Sequence, residues 1–145
     1  MGILVDNLIK SILSEHEATI KSLEILDSSG FEFNLTGSRF FGNSRQDSDW
    51  DFFAQDFPEI REFLAKHKFV LLSLDSEKFA NIYGDQNTAT VFCGLGGVHV
   101  QLVKDVSAKK WAQNLLAEWG LLDLVSKKDA RFLWDLAYFL MHLTG

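Results

Sequence analysis

Asp49 and Asp51 stand two residues apart at the head of an otherwise apolar run, Asp49-Trp50-Asp51-Phe52-Phe53. Side chains alternate along a strand, so both carboxylates point to the same face. Two ionised carboxylates a few ångströms apart repel each other and are costly to bury unpaired. A divalent cation bound between them removes that cost, and hard oxygen ligands suit Mg²⁺ or Mn²⁺. The strand must therefore sit in a fold that gives this pair a shared, accessible face.

The residues just upstream supply a counterpart. Leu35-Thr36-Gly37-Ser38-Arg39-Phe40-Phe41-Gly42 reads as a strand end, a Gly-Ser turn and a short helix. Gly37 lets the backbone turn tightly, Ser38 offers a hydroxyl, and a helix start offers free N–H groups. With Arg39 and Arg45 nearby, those groups suit a polyphosphate. A phosphate cradle facing a metal-binding Asp pair is apparatus for phosphoryl or nucleotidyl transfer. The plainer alternative is an Asp-rich turn between strands, with Ser38 merely capping a helix.

Gly37-Ser38, ten residues, then Asp49-Trp50-Asp51 resembles the signature of the DNA polymerase beta-type nucleotidyltransferase superfamily. Gly-Ser-Arg-Phe-Phe-Gly followed by Asp-Ser-Asp-Trp-Asp is most similar to the minimal nucleotidyltransferases. The resemblance implies an α/β (α+β) nucleotidyltransferase fold, a small mixed sheet flanked by helices with the site on one face. It further implies that Gly37 and Ser38 hold the triphosphate of an NTP such as ATP. Arg39 or Arg45 would meet its charge, and Asp49 and Asp51 would bind the metals.

One position departs from that pattern. The superfamily usually carries a third carboxylate on a later strand, and Val98-His99-Val100-Gln101-Leu102-Val103 fits that strand with His99 at the acidic position. Neutral imidazole can ligate a metal or accept a proton, but it brings no negative charge. Three readings follow: His99 acts as base or softer ligand, or it marks weakened activity, or another acid such as Asp105 substitutes. A plain core histidine is a fourth.

The chain of 145 residues fits one domain, residues 1–145, with a helical C-terminal part from about residue 107. Hydrophobic residues make up 47% of it, with 13 Phe and 4 Trp, which describes a packed and not a disordered chain. A net charge of −6 leaves no broad electrostatic footprint for extended nucleic acid, so a small-molecule or protein acceptor is favoured. The single cysteine, Cys93, has no intrachain disulfide partner, as expected in a reducing cytosol. There is no signal-peptide pattern and no apolar run of about 18 residues, so a cytoplasmic protein without a membrane segment is expected.

Periodicity supplies the remaining elements. Val5, Leu8, Ile9, Ile12, Leu13, Ile20, Leu23 and Leu26 predict one amphipathic helix ending near Asp27. Phe31 to Leu35 alternates as a strand, and Asp56-Phe57-Pro58-Glu59 resembles a capping box opening a helix that ends around Lys68. Phe69 to Leu74 reads as a short strand, while Asp75 to Asn87, with Phe79, Ile82 and Tyr83, is ambiguous. Thr88 to Leu95 and Val98 to Val103 form a hairpin joined at Gly96-Gly97. Ser107 is expected to cap a helix to Trp119, with Gly120 beyond it. Ser126 should cap a last helix running to about Leu143, packed under the sheet or else exposed on one side to dock a partner or second copy.

Two functions suit these residues. One is an enzyme transferring a nucleoside monophosphate from an NTP to an acceptor hydroxyl or phosphate, with Asp49, Asp51 and His99 at its centre. The other is a binding module without turnover, holding a nucleotide or neutralising a protein partner. The latter resembles the antitoxin role of some minimal nucleotidyltransferases beside HEPN-domain toxins.

Overall fold

A computed structural model describes residues 2–42, 48–72, 88–122 and 124–144. Within them lie helices α1 (Ile3–Glu15), α2 (Glu17–Ser28), α3 (Gly37–Phe41), α4 (Pro58–Lys66), α5 (Val106–Trp119) and α6 (Lys127–Thr144). The strands are β1 (Asn34–Thr36), β2 (Trp50–Gln55), β3 (Val70–Leu71), β4 (Thr88–Gly94) and β5 (Val98–Val103). They form one mixed sheet in the order β1-β2-β5-β4-β3. Only β2 and β5 run parallel; the other pairs are antiparallel. This is an α+β arrangement, and no helix of the described residues is long and apolar enough to cross a membrane.

Alternation divides the sheet into two faces. Ala54 on β2, Phe92 on β4 and Val98, Val100 and Leu102 on β5 face Leu26 of α2 and Ile60 and Leu64 of α4. β5 is buried along nearly its whole length, as a central strand covered on both sides must be. The opposite face carries Asp51, Phe53 and Gln55 on β2 with His99 and Gln101 on β5. α5 packs there: Lys109 reaches Gln101 and Phe53, and Gln113 Nε2 donates to the Leu35 carbonyl at 3.0 Å.

Several boundaries differ from those expected. The N-terminal helix is two, interrupted at His16 (φ −104°, ψ 12°). α2 contributes the buried residues Ser22 and Leu26, while Ile3, Leu4 and Leu8 of α1 are exposed. Periodicity cannot show this, because both halves carry the same apolar spacing. β1 begins at Asn34, three residues later than expected, although Phe31 and Phe33 still pack against the core. Asp56 does not cap α4; its carboxylate takes both Arg61 nitrogens at 2.7 Å, and Phe57 precedes Pro58 at the helix start. A bidentate charged pair outweighs a cap that Pro58, with no N–H, helps little. The cap of α5 is Asp105, not Ser107, and its Oδ1 accepts from the Ala108 amide at 3.1 Å. Asp105 is thereby occupied at a helix end six residues beyond His99. The edge strand β3, Val70–Leu71, falls within the expected 69–74, and residues 73–87, with Phe79, Ile82 and Tyr83, lie outside the described residues.

Other expectations hold. Pro58 opens α4, the β4–β5 hairpin forms with Gly96 and Gly97 at positive φ, and Gly120 closes α5 in the left-handed conformation. The Asp129 amide donates to Ser126 Oγ at 3.2 Å, so Ser126 does cap α6. α6 packs against α5 instead of directly beneath the sheet. Leu133, Trp134, Ala137 and Tyr138 join Ala112, Leu116 and Phe41 in a second small core. The sheet face was already taken by α5, which left α6 a helix to pack on.

Candidate functional site

β2 and β5 are paired so that Asp51 stands opposite His99, while β1 sets Thr36 opposite Asp51 and β4 sets Cys93 opposite His99. Four strands thus place Thr36, Asp51, His99 and Cys93 in one row across a single face. Asp49, just before β2, joins from the strand's entry. His99 Nδ1 donates to Asp51 Oδ1 at 3.1 Å and lies 3.8 Å from Asp49 Oδ2. The Asp49 side chain is 56% exposed, whereas those of Asp51 and His99 are 21% and 20% exposed. One carboxylate meets solvent and the other is set into the sheet.

The electrostatics follow from that difference. The hydrogen bond to Asp51 is the main cause raising the His99 pKa above its ordinary 6.5; burial opposes it, and the charges of Asp51 and Asp49 add to it. When protonated, the imidazole supplies a local counter-charge to the carboxylates. Cys93 moves the other way. Burial first, then Asp49 and Asp51, push its thiol up from 9.0, so it stays protonated at neutral pH and is a poor nucleophile there.

Gly37 explains how the turn approaches the carboxylates. Its φ is +68°, and a Cβ built there would lie 2.6 Å from Asp51 Oδ2. Only glycine fits on both counts. A second glycine plays the same part for the other acid: Gly97 has φ +76°, and a Cβ there would lie 2.9 Å from Asp49 Oδ1. The Gly97 carbonyl accepts from the Trp50 amide at 2.8 Å, locking the hairpin turn to the start of β2. α2 holds the same turn from behind, since Thr19 Oγ1 donates to the Gly96 carbonyl at 2.7 Å and Ser22 Oγ to that of Leu95 at 2.8 Å.

The sequence-derived residues are therefore brought together unequally. Asp49, Asp51, His99 and Gly37 converge, and Ser38 follows Gly37 in the first turn of α3. The Arg39 guanidinium lies 4.1 Å from the centre of the Trp50 ring and donates to the Ser48 carbonyl at 2.8 Å. Trp50 alternates to the opposite sheet face from Asp51, so Arg39 braces the approach to β2 from that side. Arg45, within residues 43–47, lies outside the described residues. Sequence reading missed Gly97, whose signal was the Gly96-Gly97 pair leading into the His99 strand. It also missed Lys109, which is 2% exposed: its Nζ donates to Gln101 Oε1 at 2.9 Å and lies 4.9 Å from the Trp134 ring centre.

The donor chemistry fits a divalent cation in part. Two carboxylates and an imidazole share one face, with Asp49 open to solvent, which is a mixed oxygen and nitrogen set that Mn²⁺ accepts more readily than Mg²⁺. Among the described residues no group of three or more such side chains is disposed as a ready cage, and the His99 ring is bonded to Asp51. Asp49 and Asp51 are the ligands that would hold an ion, and His99 joins them only after losing its proton.

Compared with family models, with curated proteins and with solved structures, this chain has no match in any of the three.

Proposed function

We propose that this chain is a metal-dependent nucleotidyltransferase of the DNA polymerase beta type, transferring a nucleoside monophosphate from an NTP, ATP first, to an acceptor hydroxyl or phosphate. The observation that carries the reading is the contact between Gly37 and the Asp51 carboxylate, beside Asp49 and His99. A turn suited to phosphate and a pair of carboxylates suited to a cation, linked in sequence only by spacing, abut on one sheet face. The bound ion would neutralise phosphate charge and favour departure of pyrophosphate.

The chain's own residues then take definite parts. Asp49 and Asp51 bind the cation, and Gly37 and Ser38 line the place of the triphosphate. Asp51 holds the His99 Nδ1 proton, which leaves Nε2 as the ring nitrogen that exchanges a proton with an acceptor. Arg39, stacked on Trp50, orients the approach to β2 instead of meeting the triphosphate itself.

A second reading rests on the same histidine. Where the resemblance implies a third acid, an imidazole satisfies Asp51, and a site neutralised in that way suits a binding protein without turnover. One experiment separates the two readings. Incubation with each labelled NTP, Mg²⁺ or Mn²⁺ and a cell lysate should label an acceptor and release pyrophosphate. Nucleotide binding without pyrophosphate release under any of these conditions would leave the binding protein.

A further inference from the structure

α6 has two unlike sides. Leu133, Trp134, Ala137 and Tyr138 pack toward α5. On the opposite side, one helical turn after another, stand Phe132, Leu136, Phe139 and Leu143. Phe132, Phe139 and Leu143 are 65%, 58% and 67% exposed, and Leu136 between them is half-buried. Their spacing of four, three and four residues is that of the a and d positions of a heptad, the pattern by which one helix receives another.

We propose that this seam is an interface between two copies of the chain, with α6 packed antiparallel on α6 about a two-fold axis. The pattern is self-complementary. Reversing it preserves the four-three-four spacing and sets Phe132 against the second copy's Leu143 and Leu136 against its Phe139. Each large ring then meets a smaller side chain, twice over, as an isologous contact requires. The same register brings Asp135 near the second copy's His142, in a groove that Asp105 also lines.

The area lies at the low end of what a stable interface buries. A fully exposed side chain of this size offers on the order of 200 Å², so the three exposed residues present on the order of 400 Å² of apolar surface. Interfaces are roughly 55–65% apolar, which makes this the apolar share of about 700 Å² per copy. A stable interface takes roughly 800 Å² from each partner.

Sedimentation of the full chain at micromolar concentration tests the proposal. The wild type should be a dimer, and Phe132→Glu with Phe139→Glu should raise the dissociation constant at least about thirtyfold. Both side chains are exposed, so the far-UV spectrum should not change; if the double variant fails to fold, Phe139→Gln repeats the test with a milder change. Leu4→Glu with Leu8→Glu, on the equally exposed α1, should remain dimeric. Phe132→Cys combined with Leu143→Cys should cross-link two copies on oxidation while either change alone should not, as the antiparallel register requires. A monomeric wild type would overturn the proposal, whatever other protein or surface the seam then serves. So would a dimer that the α1 changes break and the α6 changes spare.

Discussion

His99 and Asp51 face each other across the one parallel strand pair in the described sheet, their Nδ1 and Oδ1 atoms 3.1 Å apart. This contact answers, among the described residues, how two carboxylates two residues apart are tolerated. Asp49 lies mostly in solvent, where its repulsion is screened, and the deeper Asp51 is bonded to an imidazole whose proton the pair stabilises.

That proton makes stability depend on pH. The folded-state pKa of His99 is raised above 6.5, so its contribution is fully present below about pH 6.5 and is lost as pH rises through the raised value. In metal-free buffer the melting temperature should fall across that window. His99→Gln should flatten this part of the profile, and a slope that survives the change must come from other groups.

Asp51→Asn sets two effects against each other. It removes repulsion from Asp49, which is small because Asp49 is 56% exposed, and it removes a charged hydrogen bond in the part-buried sheet. The second wins, and the metal-free protein should lose about 1–2 kcal/mol. Denaturant titration with EDTA measures it; a variant as stable as the wild type would show that relief of repulsion offsets the lost hydrogen bond in full.

Gly37→Ala meets both a positive φ and the Asp51 carboxylate at 2.6 Å. The backbone alone should cost roughly 1–3 kcal/mol, and Asp51 must move as well, so divalent-ion affinity should drop. Gly97→Ala, at 2.9 Å from the exposed Asp49, should show the milder form of both effects because that side chain can swing into water. Thermal melts with and without Mn²⁺ read the two quantities separately. Equal losses at the two glycines would mean that backbone strain, and not the carboxylates, sets the outcome.

His99→Asp exchanges the site's own cation for a third carboxylate. The metal-free variant should melt below the wild type, and added Mg²⁺ should restore more stability to it than to the wild type. If the chain is a transferase, His99→Ala should slow it by roughly 10²-fold, the worth of a positioned acid–base group. A His99→Asp protein indifferent to Mg²⁺ would show that these side chains do not form a cation site.

The sequence by itself determined the local pieces of this protein. Alternation assigned Asp49 and Asp51 to one face, Ser126 and Gly120 marked helix ends, and the Gly96-Gly97 pair closed a hairpin, because each depends on backbone geometry within a few residues. His99 belonged with the Asp pair on the strength of the resemblance alone. Tertiary structure decided what distance along the chain conceals. It paired β2 with β5 in the register that sets Asp51 opposite His99, brought Gly97 against Asp49, and turned Arg39 onto Trp50. It also gave the sheet face to α5 and left α6 with a bare apolar seam. Helical periodicity says that a stripe is apolar; which of two apolar stripes is covered depends on what else competes for the same surface.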